Sequence, residues 1–206
     1  MANPIKVIGI GPGSPDYLLP AAVTAVAQCQ VLVGSPRAMA LFDIQDKEIH
    51  SLNGNLEAAL QFLRNRDRSK TVGVLVSGDP GFYSLLSYLR RNLEEELEVI
   101  PGLSSLQVAF ARLGLPWQDA CLLSLHGRPL ATLLPYLEER KPMGLLIDSR
   151  MKAGELAKLM GAYGSFRVHI CRNLTYPEET IRTLTPEQLA EESNLGNAVV
   201  VIIPDD

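Results

Sequence analysis

Basic charge is the first thing this chain is short of. Its 206 residues carry 19 Lys and Arg against 23 Asp and Glu, a formal net charge of -4, so the electrostatic footprint that holds a DNA or RNA backbone is missing at the level of the whole chain. Only a local basic patch is still allowed. Cysteine is scarce as well. Cys29, Cys121 and Cys171 are odd in number, widely spaced and set in apolar surroundings, which argues against a disulfide framework and for buried, reduced thiols rather than metal ligands. Long apolar runs are absent: no segment approaches a membrane span, and the few apolar residues after Lys6 are too short for the core of a secretory leader. The expected setting is the cytoplasm, without a membrane, nucleic acid or metal as partner.

What is present is a hydrophobic content of 47%, ample for a core in a chain of this length. Apolar runs at 7–10, 31–33, 72–76 and 97–100 read as strands. Helical patterns lie between them, most clearly over 55–66, where Leu56, Ala59, Leu60 and Leu63 form one stripe. Further helices are expected over 82–93 and 104–113. This alternation predicts an α/β fold with a mostly parallel sheet. The Gly114 and Pro116 break then suggests a boundary, giving an N-terminal α/β domain over 1–113 and a C-terminal α/β domain over 114–206. The second holds strand-like runs at 121–125, 143–147, 166–171 and 198–203, with helices over 130–139, 153–163 and 186–192. Thr185-Pro186-Glu187-Gln188 has the pattern of a helix start.

Three Gly/Pro turns follow first-domain strands. The first, Gly9 to Leu19 (GIGPGSPDYLL), is placed like a dinucleotide fingerprint but lacks its chemistry. Ser14 stands where the third glycine belongs, Pro12 and Pro15 have no N–H to offer a phosphate, and the second strand ends without the acid that grips a ribose. The second turn, Ser77-Gly78-Asp79-Pro80-Gly81-Phe82-Tyr83, is positioned where open α/β sheets bind ligands, although Asp79 has an equally good role as cap of the next helix. The third is Pro101-Gly102-Leu103-Ser104-Ser105, two hydroxyls at a helix start.

In this order, and with Ser124 to Pro129 (SLHGRP) and Cys171 to Ile181 (CRNLTYPEETI) further on, the chain resembles the tetrapyrrole (corrin/porphyrin) methylases. The last two stretches narrow the likeness to the branch that methylates C-5 of cobalt-precorrin-7 or precorrin-7 in cobalamin biosynthesis. The likeness runs from Val7 to Ile203, with Glu179-Thr180 departing from the acid-arginine pair more usual there. It implies two α/β domains with a ligand cleft between them, a homodimer, and S-adenosyl-L-methionine as methyl donor. By position, donor contacts would come from Pro12, Gly78, Asp79, Phe82, Ser104 and Ser105, and in the second domain from Ile147, Asp148, Leu174 and Asn197. A chain ending at Asp206 would leave methylation at C-15 and the accompanying decarboxylation to a separate protein.

Transfer from a sulfonium to an electron-rich carbon needs alignment and exclusion of water more than acid–base chemistry. No nucleophile or triad is therefore expected. His126 is the candidate base for a proton released afterwards, against the plainer role of a hydrogen-bonded strand-end histidine. Asp148 and Tyr176 are alternatives to it. A substrate rich in acetate and propionate asks for guanidinium partners. Arg37, Arg112, Arg128, Arg150 and Arg172 lie near the turns, with Arg37 and Arg128 the first choices. Two other readings stay open: a superfamily methyltransferase with a different acceptor, such as ribosomal RNA or diphthamide, and a non-catalytic tetrapyrrole-binding protein.

Overall fold

Three short aliphatic runs in the first half of the chain lack polar alternation. In the structure, a computed structural model describing residues 3–52 and 54–205, each is a strand buried along its whole length. That is the pattern of a parallel sheet covered on both sides. Contacts divide the chain into two units, Met1–Ser104 and Ser105–Asp206. The first holds β1 (Ile5–Gly9), α1 (Pro20–Ala27), β2 (Val31–Gly34), α2 (Pro36–Met39), β3 (Glu48–Ser51), α3 (Leu56–Asn65), β4 (Val72–Val76), α4 (Leu86–Asn92) and β5 (Leu97–Ile100). Its sheet has the order β3-β2-β4-β1-β5 and every pairing is parallel.

Alternate residues of β1 feed two cores. Ile8 packs with Ala22, Val26 and Met39 of α1 and α2, while Ile5 and Val7 pack with Ala59, Leu63 and Leu89 of α3 and α4. The helices thus cover opposite faces. Helix α3 buries Ala59, Leu60 and Leu63 of the stripe read from the sequence but leaves Leu56, in its first turn, exposed, and Asn55 caps it by accepting from the Ala58 N–H at 3.0 Å. Helix α4 starts later than expected, at Leu86. Tyr83 takes the left-handed conformation, with φ of 48°, which a helix cannot accommodate.

The second unit holds α5 (Ser105–Leu113), β6 (Cys121–Ser124), α6 (Leu134–Glu138), β7 (Met143–Ile147), α7 (Ala153–Gly161), β8 (Phe166–Arg172), β9 (Thr180–Leu184), α8 (Pro186–Ala190) and β10 (Ala198–Pro204). A 3-10 turn, Leu130–Leu133, precedes α6. The sheet order is β6-β7-β10-β8-β9, parallel between β6 and β7 and antiparallel elsewhere. Residues of α6, α7 and α8 join one core with Leu145, Ile147 and Val200. Helix α5 covers the other face. A Cβ on Gly144 of β7 would lie 2.8 Å from Leu106 and 2.9 Å from Phe110, so the glycine lets α5 sit close. This packing moves the division from the expected Leu113 to Ser104, because α5 is bound to β7 and β10. The expected capping box at Thr185 and Gln188 is formed.

Cys29 and Cys171 are buried, and burial pushes their thiols up to about 11 and about 12. Cys121 is only half-buried. Among the described residues no helix is long and apolar enough to cross a membrane, and no group of three or more His, Cys, Asp or Glu could hold a metal.

Candidate functional site

The chain leaves β1 for α1 on one face and β4 for α4 on the other. These two strands are neighbours, so their carboxyl ends form the switch point at which doubly wound sheets open a crevice. The first two Gly/Pro turns lie there and bond to each other. Gly78 N–H donates to Gly11 O at 2.8 Å, and Gly11 N–H returns to Gly78 O at 3.3 Å. Ile10 N–H is taken by Val76 O at 2.9 Å. The amides of Ile10 and Gly11 therefore stitch β1 to β4 and are spent. With Pro12 and Pro15 lacking donors, the first turn is built as a wall, not as a phosphate cradle.

The third turn closes on the same point. A Cβ on Gly102 would lie 2.2 Å from Gly78 O and 2.8 Å from Gly9 C; one on Gly9 would lie 2.6 Å from Gly102 N. At Gly9, Gly78 and Gly102 the ends of β1, β4 and β5 meet backbone to backbone; no side chain fits at Gly9 or Gly102, and Gly78 has φ of 70°. Asp79 binds the turns together. Its Oδ1 accepts from Gly81 N–H at 2.8 Å and its Oδ2 from Gly102 N–H at 3.2 Å. It does not cap α4, which has no side-chain cap. Around this junction Pro12 and Phe82 are half-buried, and Ser104 is 9% exposed. A backbone-lined junction held by the Asp79 carboxylate and offering no cationic side chain fits a donor without phosphates. Pro12, Gly78, Phe82 and Ser104 are the residues of the first unit that would hold one, with Asp79 shaping the turns.

In the second unit, pairing of Ser124 with Leu146, Ile147 with Ala198, and Cys171 with Val199 sets the loops at 125–129, 148–152, 173–179 and 194–197 along one sheet edge. Asp148, Leu174, Asn197, His126 and Arg128 all lie on it. Ile147, at the end of β7, is 1% exposed and Leu174, in the loop after β8, 5%, so both are buried and Ile147 can offer little beyond its backbone. His126 is exposed, with its N–H 3.4 Å from Ser124 Oγ. Ser105 begins α5. Arg37 is exposed on α2, in the first unit.

Three of the five arginines singled out in the sequence are tied to the second unit itself. Arg172 donates to Leu195 O at 2.9 Å and Asn194 O at 2.8 Å, fixing the loop before β10. Arg150 donates from Nε to Asp148 Oδ2 at 3.1 Å, and its backbone N–H reaches Asp148 Oδ1 at 2.9 Å. Arg112 of α5 donates to both oxygens of Glu179, at 2.7 and 3.4 Å. Nothing in the spacing announced this last pair, 67 residues apart.

Glu179 also accepts from Thr175 N–H at 2.7 Å. It thereby holds a turn in which Asn173 and Thr175 have φ of 49° and 74°, a costly conformation for a β-branched residue. The Arg112 hydrogen bonds, the Thr175 N–H and the guanidinium charge hold the Glu179 carboxyl below its ordinary range, against a smaller opposing effect of burial. A depressed folded-state pKa gives stability that is complete above the ordinary carboxylate range and is lost as pH falls through the lowered value. Thermal melts of wild type and Glu179→Gln should accordingly converge between roughly pH 6 and roughly pH 3. A gap that is constant over this range would exclude the pair as a source of stability.

The geometry so far defines a doubly wound unit whose Gly/Pro turns meet at its switch point, followed by a mixed-sheet unit. A family model, the tetrapyrrole (corrin/porphyrin) methylases, matches residues 4–190, and the chain belongs to that family. It is 32% identical over 200 residues to the probable cobalt-precorrin-7 C(5)-methyltransferase of Methanocaldococcus jannaschii, covering 90% of this chain and 91% of that one. It is 30% identical over 201 residues to the cobalt-precorrin-7 C(5)-methyltransferase of Salmonella typhimurium, covering 96% and 98%. Among solved structures, the cobalamin biosynthesis precorrin-6Y methylase of Archaeoglobus fulgidus superposes with a TM-score of 0.76 at 24% identity, over 98% of both chains. At that identity the superposition speaks for the fold.

Proposed function

We propose that this chain is an S-adenosyl-L-methionine-dependent C-methyltransferase acting on C-5 of cobalt-precorrin-7 or precorrin-7 in cobalamin biosynthesis. The observation that supports it most is correspondence along nearly the whole of two relatives bearing that activity in their names. The phosphate-free junction at Gly9, Gly78 and Gly102 is the matching physical feature.

When bound, the donor supplies an electrophilic methyl group on a sulfonium. The chain's part is to orient and to exclude water. Pro12, Gly78, Phe82, Ser104 and Ser105 contact the donor. Asp79 acts on it by fixing the turns, because both its oxygens are engaged by backbone amides. Ile147, Asp148, Leu174 and Asn197 are the contacts contributed by the second unit, Ile147 through its backbone. The new carbon–carbon bond uses an electron pair of the macrocycle, and the pair of the broken carbon–sulfur bond stays on sulfur. The proton that then leaves the macrocycle passes to His126. Arg37 and Arg128 bind peripheral carboxylates. The two units serve as the domains of one enzyme, working as a homodimer in the cytoplasm and passing its product to a separate C-15 methyltransferase and decarboxylase.

Calorimetric titration with S-adenosylhomocysteine tests the reading. One molecule should bind per chain, with affinity indifferent to added phosphate. A chain that takes up NAD and ignores S-adenosylhomocysteine would refute it.

A further inference from the structure

The second unit holds a cavity of about 250 Å³ that shares Asp148 alone with the proposed donor contacts. It lies beyond the carboxyl ends of the parallel pair β6 and β7. Leu125 and Met151 make part of its apolar lining, while Arg128, Arg150 and Lys152 bring three positive charges against two negative ones, Asp148 and Glu155. Helix α7 begins there with Lys152 as its N-cap and no side-chain cap, so the positive end of the helix dipole adds to the cationic excess.

The ion pairs in the wall are arranged to leave a donor edge. Asp148 takes the Nε side of Arg150, from Nε at 3.1 Å and Nη2 at 2.5 Å, so the edge formed by Nη1 and Nη2 is the one a second carboxylate would meet. The Arg150 hydrogen bonds hold the Asp148 carboxyl below its ordinary range. The acid thus stays ionised and keeps the guanidinium oriented. Lys152 pairs with Glu155, at 3.1 Å, and both side chains are largely exposed. A pair so screened exchanges readily for a ligand carboxylate.

We infer that this cavity is a carboxylate subsite, taking two short neighbouring acid arms, the acetate and propionate of a single pyrrole ring, between Arg128, Arg150 and Lys152. The inference rests on the tetrapyrrole reading above and adds to it where the macrocycle's rim is anchored. Asp148 then acts as a positioning residue for Arg150. The apolar Leu125 and Met151 accommodate the methylene stems, and the helix end with its flanking cations takes the charge.

The test uses Arg128→Ala and Lys152→Glu, both at exposed positions, with cobalt-precorrin-7 and S-adenosylhomocysteine titrated separately into each protein. Each variant should raise the tetrapyrrole Kd roughly five- to tenfold and leave the S-adenosylhomocysteine Kd unchanged. Cobalt-precorrin-7 with its side-chain carboxyls amidated should bind wild type more weakly, and Lys152→Glu should weaken it no further. Wild-type tetrapyrrole affinity in both variants, or an equal loss of affinity for the donor analogue, would overturn the subsite. A wild type that binds the tetrapyrrole without methylating it would refute the proposed reaction, while a selective loss in the variants would uphold the subsite. A wild type that binds no tetrapyrrole would refute both.

Discussion

Gly102→Ala is expected to lower the melting temperature by roughly 6–12 °C and to weaken S-adenosylhomocysteine binding more than tenfold. The added methyl would sit 2.2 Å from Gly78 O and 2.8 Å from Gly9 C. These are backbone atoms of two adjacent strand ends, so no side chain can swing aside to make room. Overpacking of this kind costs about 3 kcal/mol, and at this chain length each kcal/mol lowers the melting temperature by roughly 2–4 °C. Donor affinity falls with stability because relief requires moving the turns that form the ligand edge. Gly161→Ala is the matching control: nothing lies within 4 Å of a Cβ at that position, at the end of α7, and the change should be neutral or slightly stabilising. A thermal melt showing Gly102→Ala as harmless as Gly161→Ala would contradict the backbone junction.

Asp79→Asn should raise the S-adenosylhomocysteine Kd between roughly tenfold and a hundredfold, with a smaller change in melting temperature. The carboxylate accepts from Gly81 N–H and Gly102 N–H. An amide keeps one oxygen but turns an NH2 toward the other backbone donor, so one hydrogen bond to a charged acceptor, worth about 1.5–3 kcal/mol, is lost. Asp79→Glu would not restore it, because the longer arm displaces the turn. Calorimetry on the three proteins checks this. Unchanged donor affinity in Asp79→Asn would mean that the clamp has no part in shaping the site.

Much of this site could be read along the chain because each turn announces itself locally: prolines remove donors, glycines permit tight bends, and each turn follows an aliphatic run. That Gly9, Gly78 and Gly102 touch could not be read, since contact between residues so far apart follows from the strand order β4-β1-β5. Arg112 and Glu179 were hidden for the same reason, and their pairing answers the departure noted at Glu179-Thr180. The missed strand has a different cause. Thr180 to Leu184 mixes polar and apolar residues on the outer strand of its sheet. It lacks the buried aliphatic signature that marks β1 or β4. The late start of α4 turns on the backbone of one residue, Tyr83, for which sequence periodicity has no signal. The arginines show the limit of counting charges near turns. Arg112 and Arg172 each hold a partner within the second unit, a use that only geometry distinguishes from ligand binding, while Arg150 is held by Asp148 along one edge of its guanidinium.

The central claim is transfer of a methyl group to one carbon of the macrocycle. Incubating the protein with cobalt-precorrin-7, or precorrin-7, and S-adenosylmethionine labelled with carbon-13 at the methyl group, then locating the label by NMR, tests it most directly. The account predicts a single new labelled methyl bonded to C-5, with C-15 unmodified and the side-chain carboxyl retained. Label at any other carbon, or none in a protein that binds both ligands, would contradict it.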